Sequence, residues 1–236
     1  MISAGLGIAG VIVLLIAALL LRSLGPRYRV GRLLAAAPQA TLAEAVALAQ
    51  GGDRHYIRVH GRISSDEEFP DDHDRPLVYR RRRVEVLQRG EWRSLADDRE
   101  AVPFGVEERG TYLAVDAAAL DVGLVVISRE AEGRAADLPA DLREDVDPEL
   151  PSRLVIEQVS AVEHAFVCGV PEKRDDETWM VPGLGRPLIL TTLELPAAMR
   201  VLARDHRRQL RVATLLIPVG LGLMLAAALT LLLGVG

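Results

Sequence analysis

The sequence predicts a membrane-anchored α+β protein in which two transmembrane helices flank a β-rich domain, an antiparallel barrel or sandwich. Residues 1–21 and 212–236 contain no ionisable side chain. As helices they would be roughly 31 and 37 Å long, enough to cross a hydrocarbon core of about 30 Å. Between them, hydropathy alternates with a period of two in several short segments that are separated by turn residues, which is typical of half-buried strands.

These boundaries divide the chain into five predicted parts. They are a first transmembrane helix at 1–21, a juxtamembrane helical segment at 22–52, the β-rich domain at 53–196, a basic juxtamembrane helix at 197–211 and a second transmembrane helix at 212–236. The first stretch is not typical of a cleaved signal peptide, because its arginines follow the apolar core instead of preceding it.

Arginines cluster on the inner side of both apolar stretches, and basic residues close to a span favour the cytoplasmic side of a membrane. The pattern therefore predicts an integral protein of a bacterial or archaeal plasma membrane, with a cytoplasmic central domain and both termini outside. The same side chains could contact anionic lipid headgroups. These membrane-flanking basic residues are Arg22, Arg27, Arg29, Arg32, Arg204, Arg207, Arg208 and Arg211.

Local signals place the elements of the central part. Thr41 and Glu44 have the spacing of a capping box and predict a helix that ends at Gly51-Gly52. The acidic stretch 130–152 contains three prolines and predicts a long loop. Strands are predicted at 56–63, 77–88, near Trp92, and at 102–106, 111–115, 122–127, 162–170, 178–181 and 188–195.

Several short motifs follow one another between residues 22 and 236. They are Val59-His60-Gly61, Leu77-Val78-Tyr79 leading to Val84-Glu85-Val86, Trp92, Val102-Pro103-Phe104, 110–116, Glu157 and Phe166-Val167-Cys168-Gly169. In this order, and followed by the second apolar stretch, they resemble the GIDE ("beside a membrane") domain. That domain is known from mitochondrial outer-membrane E3 ubiquitin ligases of the RING type and from prokaryotic relatives.

Ubiquitin ligase activity is not expected from this resemblance. A RING finger needs eight cysteine or histidine ligands for two zinc ions, whereas this chain has a single cysteine, Cys168, and ends with the second apolar stretch. One cysteine also excludes an intramolecular disulfide. We assign no catalytic, cofactor-binding or metal-binding residues and expect no cofactor.

Four consecutive arginines interrupt the alternation of the predicted strand 77–88. Arg80 and Arg82 would share a face with Val78 and Val84, which places two cations towards a core. A bulge or register shift would relieve this conflict. Alternatively, the two arginines line a groove for a phosphate, a carboxylate or an acidic partner, and Arg80 and Arg82 are therefore candidate partner-binding residues.

The acidic run 66–74 is predicted to be a solvated turn, with a divalent cation site as the alternative. The function that best fits the pattern is a membrane-tethered, non-catalytic interaction or scaffold module that binds a protein or lipid partner. Nucleic acid is not expected as a partner, and the transmembrane helices could form an oligomer. Two alternatives remain: an enzyme with a site assembled from scattered residues such as Asp116, Glu157 and His164, or a subunit of an envelope complex.

Overall fold

The computed structural model of the protein describes residues 2–23, 25–143, 146–204 and 207–232, without the side chains of 2–7, 19–27, 204–213 and 230–232. Its helices are α1 (Ile2–Ser23), α2 (Gly25–Ala36), α3 (Leu42–Gly51), α4 (Leu195–Arg204) and α5 (Arg207–Leu232). Its strands are β1 (Ile57–Ser64), β2 (Phe69–Pro70), β3 (Pro76–Gln88), β4 (Glu91–Ala101), β5 (Gly105–Glu108), β6 (Thr111–Val115), β7 (Arg129–Arg134), β8 (Pro151–Ser160), β9 (His164–Arg174), β10 (Glu177–Val181) and β11 (Ile189–Thr191).

The described residues form two compact units, one within Met1–Arg32 and Met199–Gly236 and the other within Leu33–Ala198. In the first unit, α1 packs against α5. The helices approach closely at Gly10, where an added Cβ atom would lie 3.1 Å from the carbonyl oxygen of Gly220 and 2.9 Å from Cγ of Met224. Small residues therefore allow the contact between the two terminal helices.

The prediction of two transmembrane helices is wrong. No helix in the described part of the chain is long and apolar enough to cross a membrane. The prediction rested on the length of the two uncharged stretches alone.

The other membrane predictions are corrected by the same finding. They comprise the membrane-anchored fold class with its two spans and the location as an integral membrane protein. Of the basic residues predicted to flank them, Arg32 is exposed on α2, as is Arg29. The other six, Arg22, Arg27, Arg204, Arg207, Arg208 and Arg211, have side chains outside the described set.

Five strands of the second unit close into a barrel. The order is β1-β5-β6-β10-β9, and β9 pairs with β1 to complete the ring. All of these pairs are antiparallel except β6 with β10, which run parallel. Counted along the chain, the order is 1-2-3-5-4 and back to 1, the arrangement of a five-stranded Greek-key barrel of the OB-fold type. The predicted antiparallel barrel is thus present, with one parallel pair.

Apolar side chains at alternate positions of the barrel strands fill the interior of the barrel. Val59, Val106, Leu113 and Met180 are fully buried and belong to one apolar core. Helix α3 packs against β1, β6 and β9 and adds Leu42 and Ala45 to this core. Its predicted capping box is confirmed, because the Thr41 hydroxyl accepts from the Glu44 amide and Glu44 accepts from the Thr41 amide.

A second sheet is built from two connections of the barrel. Strands β2, β3 and β4 lie between β1 and β5 in the chain, and β7 and β8 lie between β6 and β9. β3 is central, with β8 on one side and β4 on the other, and β7 extends the sheet beyond β8. Tyr79 and Val159 of this sheet are buried in the same core as the barrel residues.

Two local predictions fail here. The apolar segment 122–127 forms no strand, although Leu124, Val125 and Val126 are buried and Leu124 makes an isolated bridge to Leu190. The stretch 130–152 is not one long loop, because it contains most of β7 and the first residues of β8. The first segment is buried with a single bridge to β11 instead of a strand ladder. The charged residues of the second stretch are accommodated by ion pairs on the second sheet, such as Glu130 with Arg153.

Candidate binding pocket on the barrel

The outer face of the barrel carries an open pocket of about 430 Å³. It lies where β1 ends and against the outward side chains of β6 and β10, with Ser64 and Ala114 among its lining residues. Strand faces and loops of this part of a five-stranded Greek-key barrel are frequent ligand-binding surfaces. Fold alone does not define a function, so the chemistry of the lining decides what the pocket can bind.

The pocket is lined by Ala114 and by two aromatic side chains, Tyr112 and Trp179. Ala114 pairs with Gly105 on one neighbouring strand and with Trp179 on the other. An added Cβ atom at Gly105 would lie 2.6 Å from Cζ of Tyr112, so the Tyr112 ring lies directly over this glycine. Tyr112 is 39% exposed and Trp179 is half-buried, which leaves part of each ring available to a ligand.

Three carboxylates surround these rings. Asp66 and Glu67 follow β1, and Glu177 begins β10; all three are exposed and line the pocket. Within the described residues, none of the three forms an ion pair with an arginine or lysine. Burial, followed by the charges of Glu177 and Asp66, raises the pKa of Tyr112. The negative potential of two carboxylates therefore reaches the Tyr112 hydroxyl.

Ser65 holds in place the short segment that carries Asp66 and Glu67. Its hydroxyl oxygen accepts from the Glu67 amide at 3.2 Å and lies 2.5 Å from the carbonyl oxygen of Pro103. The first contact closes a local hydroxyl turn. The second ties this turn to the residues just before β5, so Asp66 and Glu67 are held at the rim of the pocket.

A second depression of similar volume lies beside the first and shares Ser64 and Ser65 with it. It contains both signs of charge, with Arg62 and Arg109 opposed by Glu107 and other acids. Mixed charge gives no clear preference for a ligand, so the acidic pocket is the stronger candidate.

The arginines of β3 are paired with acids of this chain. Arg80 contacts Glu100 and lies over the Phe69 ring, and Arg82 lies 3.5 Å from Asp72. A register shift with β4 between Val84 and Glu85 supplies the predicted irregularity. A phosphate or acidic partner would have to displace these carboxylates, and we therefore place the candidate site on the barrel instead of on Arg80 and Arg82.

The other face of β3 carries a network of ion pairs. Arg81 donates to both carboxylate oxygens of Asp97 at 2.7 Å and lies 3.0 Å from Asp121. Arg99 contacts the same two acids. Bidentate pairs of this kind are the strongest ion pairs in proteins, so this face is a structural network and not an open binding surface.

We expect the network to make stability fall between about pH 4 and pH 2. The hydrogen bonds from Arg81 lower the pKa of Asp97 from 3.8 to about 2. The unfolded chain therefore takes up this proton first, and the stabilisation, complete above about pH 4, is lost as the pH falls through about 2. Asp97 is 32% exposed, so solvent screening limits the effect to about 1 kcal/mol or less.

The measurement is the unfolding free energy, from urea titrations at pH 4 and pH 2, of the protein and of Asp97→Asn. The difference between the two should shrink towards pH 2. Asp98→Asn is the control, because Asp98 is an exposed neighbour on the same strand. A difference that stays constant over this range would contradict the assignment.

The acidic run 66–74 has two structural roles. Asp66 and Glu67 line the pocket. Asp71 is shielded from solvent and accepts from the amides of His73 and Arg75 and from the Arg75 guanidinium, which holds the pKa of Asp71 far below its usual range. Among the described residues, no group of histidine, cysteine and acidic side chains has the arrangement of a metal site.

Among the residues that the structure describes, the histidines and the cysteine do not form a reactive pair. His164 is exposed and stacks on His60, with ring centres 5.7 Å apart. Burial raises the pKa of Cys168 to about 12, which keeps the thiol protonated and unreactive. Asp116 contacts Arg174 and Glu157 contacts Arg83, so the three residues of the enzyme alternative have separate surroundings.

Sequence reasoning did not find Tyr112, Trp179 and Glu177 as site residues. Both strands were predicted, at 111–115 and 178–181, and alternation alone places Tyr112 and Trp179 on outward faces. Their proximity depends on the parallel pairing of β6 with β10, which no turn signal in the chain indicates. No protein-family model, no curated protein and no solved structure matches this chain.

Proposed function

We propose that this protein is a non-catalytic interaction module that binds a partner protein through the acidic, aromatic-lined pocket of its barrel. The observation that carries the proposal is that Tyr112 and Trp179 line one pocket together with Ala114 and three carboxylates. Partly exposed aromatic rings in a concave site are typical anchors of protein recognition. The resemblance to the GIDE domain remains a prediction that is compatible with this role.

The charge of the pocket argues against a nucleic acid as its ligand. Single-stranded nucleic acid is bound by aromatic platforms within positively charged grooves, whereas this pocket presents Asp66, Glu67 and Glu177. Phosphate groups would be repelled by these acids. A protein segment can supply apolar contacts for the rings and polar or basic groups for the carboxylates, so it fits both parts of the lining.

Photocrosslinking in the native cell tests the proposal. A photoreactive phenylalanine derivative replaces Tyr112 in the full chain, and a matched protein carries it at Trp92, an exposed aromatic residue on β4. We expect a discrete crosslinked protein from position 112 and its loss when Asp66 and Glu177 are both changed to lysine. The same crosslinked protein from position 92, or its persistence in the lysine variant, would contradict the proposal.

A further inference from the structure

We infer that the group recognised in this pocket is a cationic side chain, an arginine or lysine of the partner, held against Trp179 and Tyr112 between Asp66 and Glu177. The inference rests on the proposed function and specifies its ligand chemistry. It follows from three properties of the site, namely uncompensated negative charge, partly exposed rings and an internal cation on the same indole.

The negative charge is the first property. The three carboxylates of the rim lack ion pairs within the described residues, whereas nearby acids such as Glu172 and Asp116 are paired with Arg174. Unpaired acids that converge on one concavity raise the local concentration of cations. A neutral ligand would leave this charge uncompensated, and an anionic ligand would oppose it.

The rings are the second property. Cations bind favourably over the faces of tryptophan and tyrosine, and both residues line the pocket. The close contact between Gly105 and the Tyr112 ring keeps that ring in position before a ligand arrives. Such preorganisation lowers the entropic cost of binding.

The third property is a contact between an arginine and Trp179 within the protein itself. The Arg174 guanidinium lies 5.6 Å from the centre of the Trp179 ring and contacts Asp116 at 3.5 Å and Glu172 at 3.3 Å. An arginine on this indole, flanked by carboxylates, is therefore already stable in the structure. A ligand cation in the pocket would meet the same ring and the same type of acid.

The test is a fluorescence titration of the full chain. The sequence has two tryptophans, so a Trp92→Phe background leaves Trp179 as the reporter. The probes are the blocked amino acids N-acetyl-arginine amide and N-acetyl-lysine amide, with N-acetyl-citrulline amide as the uncharged analogue of the arginine probe. For a single side chain of this size we expect half-saturation at about 1 mM with both cations and no saturable change with citrulline.

Three variants define the site. Glu177→Gln and Asp66→Asn should each weaken binding of the arginine probe roughly 3-fold to 10-fold, because each removes one charge from the pocket. Glu132→Gln, an exposed acid of β7, is the matched control and should not change it. Arg174→Gln should tighten binding several-fold, because it removes a competing cation from Trp179.

Equal binding of citrulline, unchanged affinity in the two pocket variants, or weaker binding in Arg174→Gln would overturn the inference. The outcome is separable from that of the proposed function. If a partner is crosslinked through the pocket but no cation binds, the proposed interaction function is supported and the cationic ligand class is rejected. Saturable cation binding without such a partner would support the ligand class and reject the module.

Discussion

Replacing Gly105 by alanine is expected to destabilise the barrel by about 3 kcal/mol, a large effect for one methyl group. The added Cβ atom would lie 2.3 Å from the carbonyl oxygen of Leu113 and 2.7 Å from Cε2 of Tyr112. The carbonyl belongs to the paired strand β6 and cannot withdraw without breaking the ladder with β5. Either the strands separate or the Tyr112 ring leaves the pocket.

The measurement combines urea unfolding with the Trp179 titration described above. Gly133→Ala is the matched control, since Gly133 also lies in a strand and a Cβ atom there would meet nothing closer than 3.6 Å. That variant should be neutral or slightly stabilising, because alanine restricts the unfolded chain more than glycine does. Equal stability of the two alanine variants would show that the close approach at Gly105 is not required.

Removal of the Glu85 carboxylate should cost about 3 kcal/mol. Its side chain is 9% exposed, and its Oε2 atom accepts from Nε of Arg153 at 2.7 Å and lies 2.6 Å from Nη2 of the same arginine. Arg83 lies 3.7 Å away. Glu85→Ala therefore removes the closest acid of the poorly solvated Arg153, whose other acid, Glu130, lies 4.0 Å away, and leaves Glu157 as the remaining acid of Arg83. A poorly compensated charge of low exposure is costly.

Unfolding in urea gives the size of this effect. Glu132→Ala removes an exposed acid of the same sheet and should change stability by less than about 0.5 kcal/mol. Glu85→Gln keeps the shape of the side chain and loses its charge, and we expect a loss of unfolding free energy between those of the two alanine variants. If Glu85→Ala were no more harmful than Glu132→Ala, the pair with Arg153 would contribute nothing, and Trp92, which stacks on Arg153 at 4.2 Å, would be its main support.

Elements with local signals were predictable from the sequence. The capping box of α3 needs only residues within one helical turn, and β6 matches its predicted range because a turn and an apolar alternation bound it. β8 was missed because Glu157 and Arg153 stand where an apolar alternation is expected, and their partners come from β3. The segment 122–127 was misassigned because buried loops and strands have the same apolar composition.

The candidate site could not be predicted from the sequence, for a related reason. Arg80 and Arg82 belong to a run of four arginines and were therefore predicted to bind a partner. Acids distant in sequence, such as Glu100, neutralise them. Tyr112 and Trp179 look unremarkable as single aromatic residues in two short strands. Only the parallel pairing across the barrel brings them together, and that pairing is a long-range property of the closed ring.

The construction of the second sheet from two barrel connections makes those connections depend on each other. β3 comes from the first connection and β8 from the second, and Arg83 and Glu85 of one are neutralised by Glu157 and Arg153 of the other. A deletion confined to either connection would strip the remaining strands of their counter-charges and uncover a sheet edge. The two connections therefore depend on each other for stability.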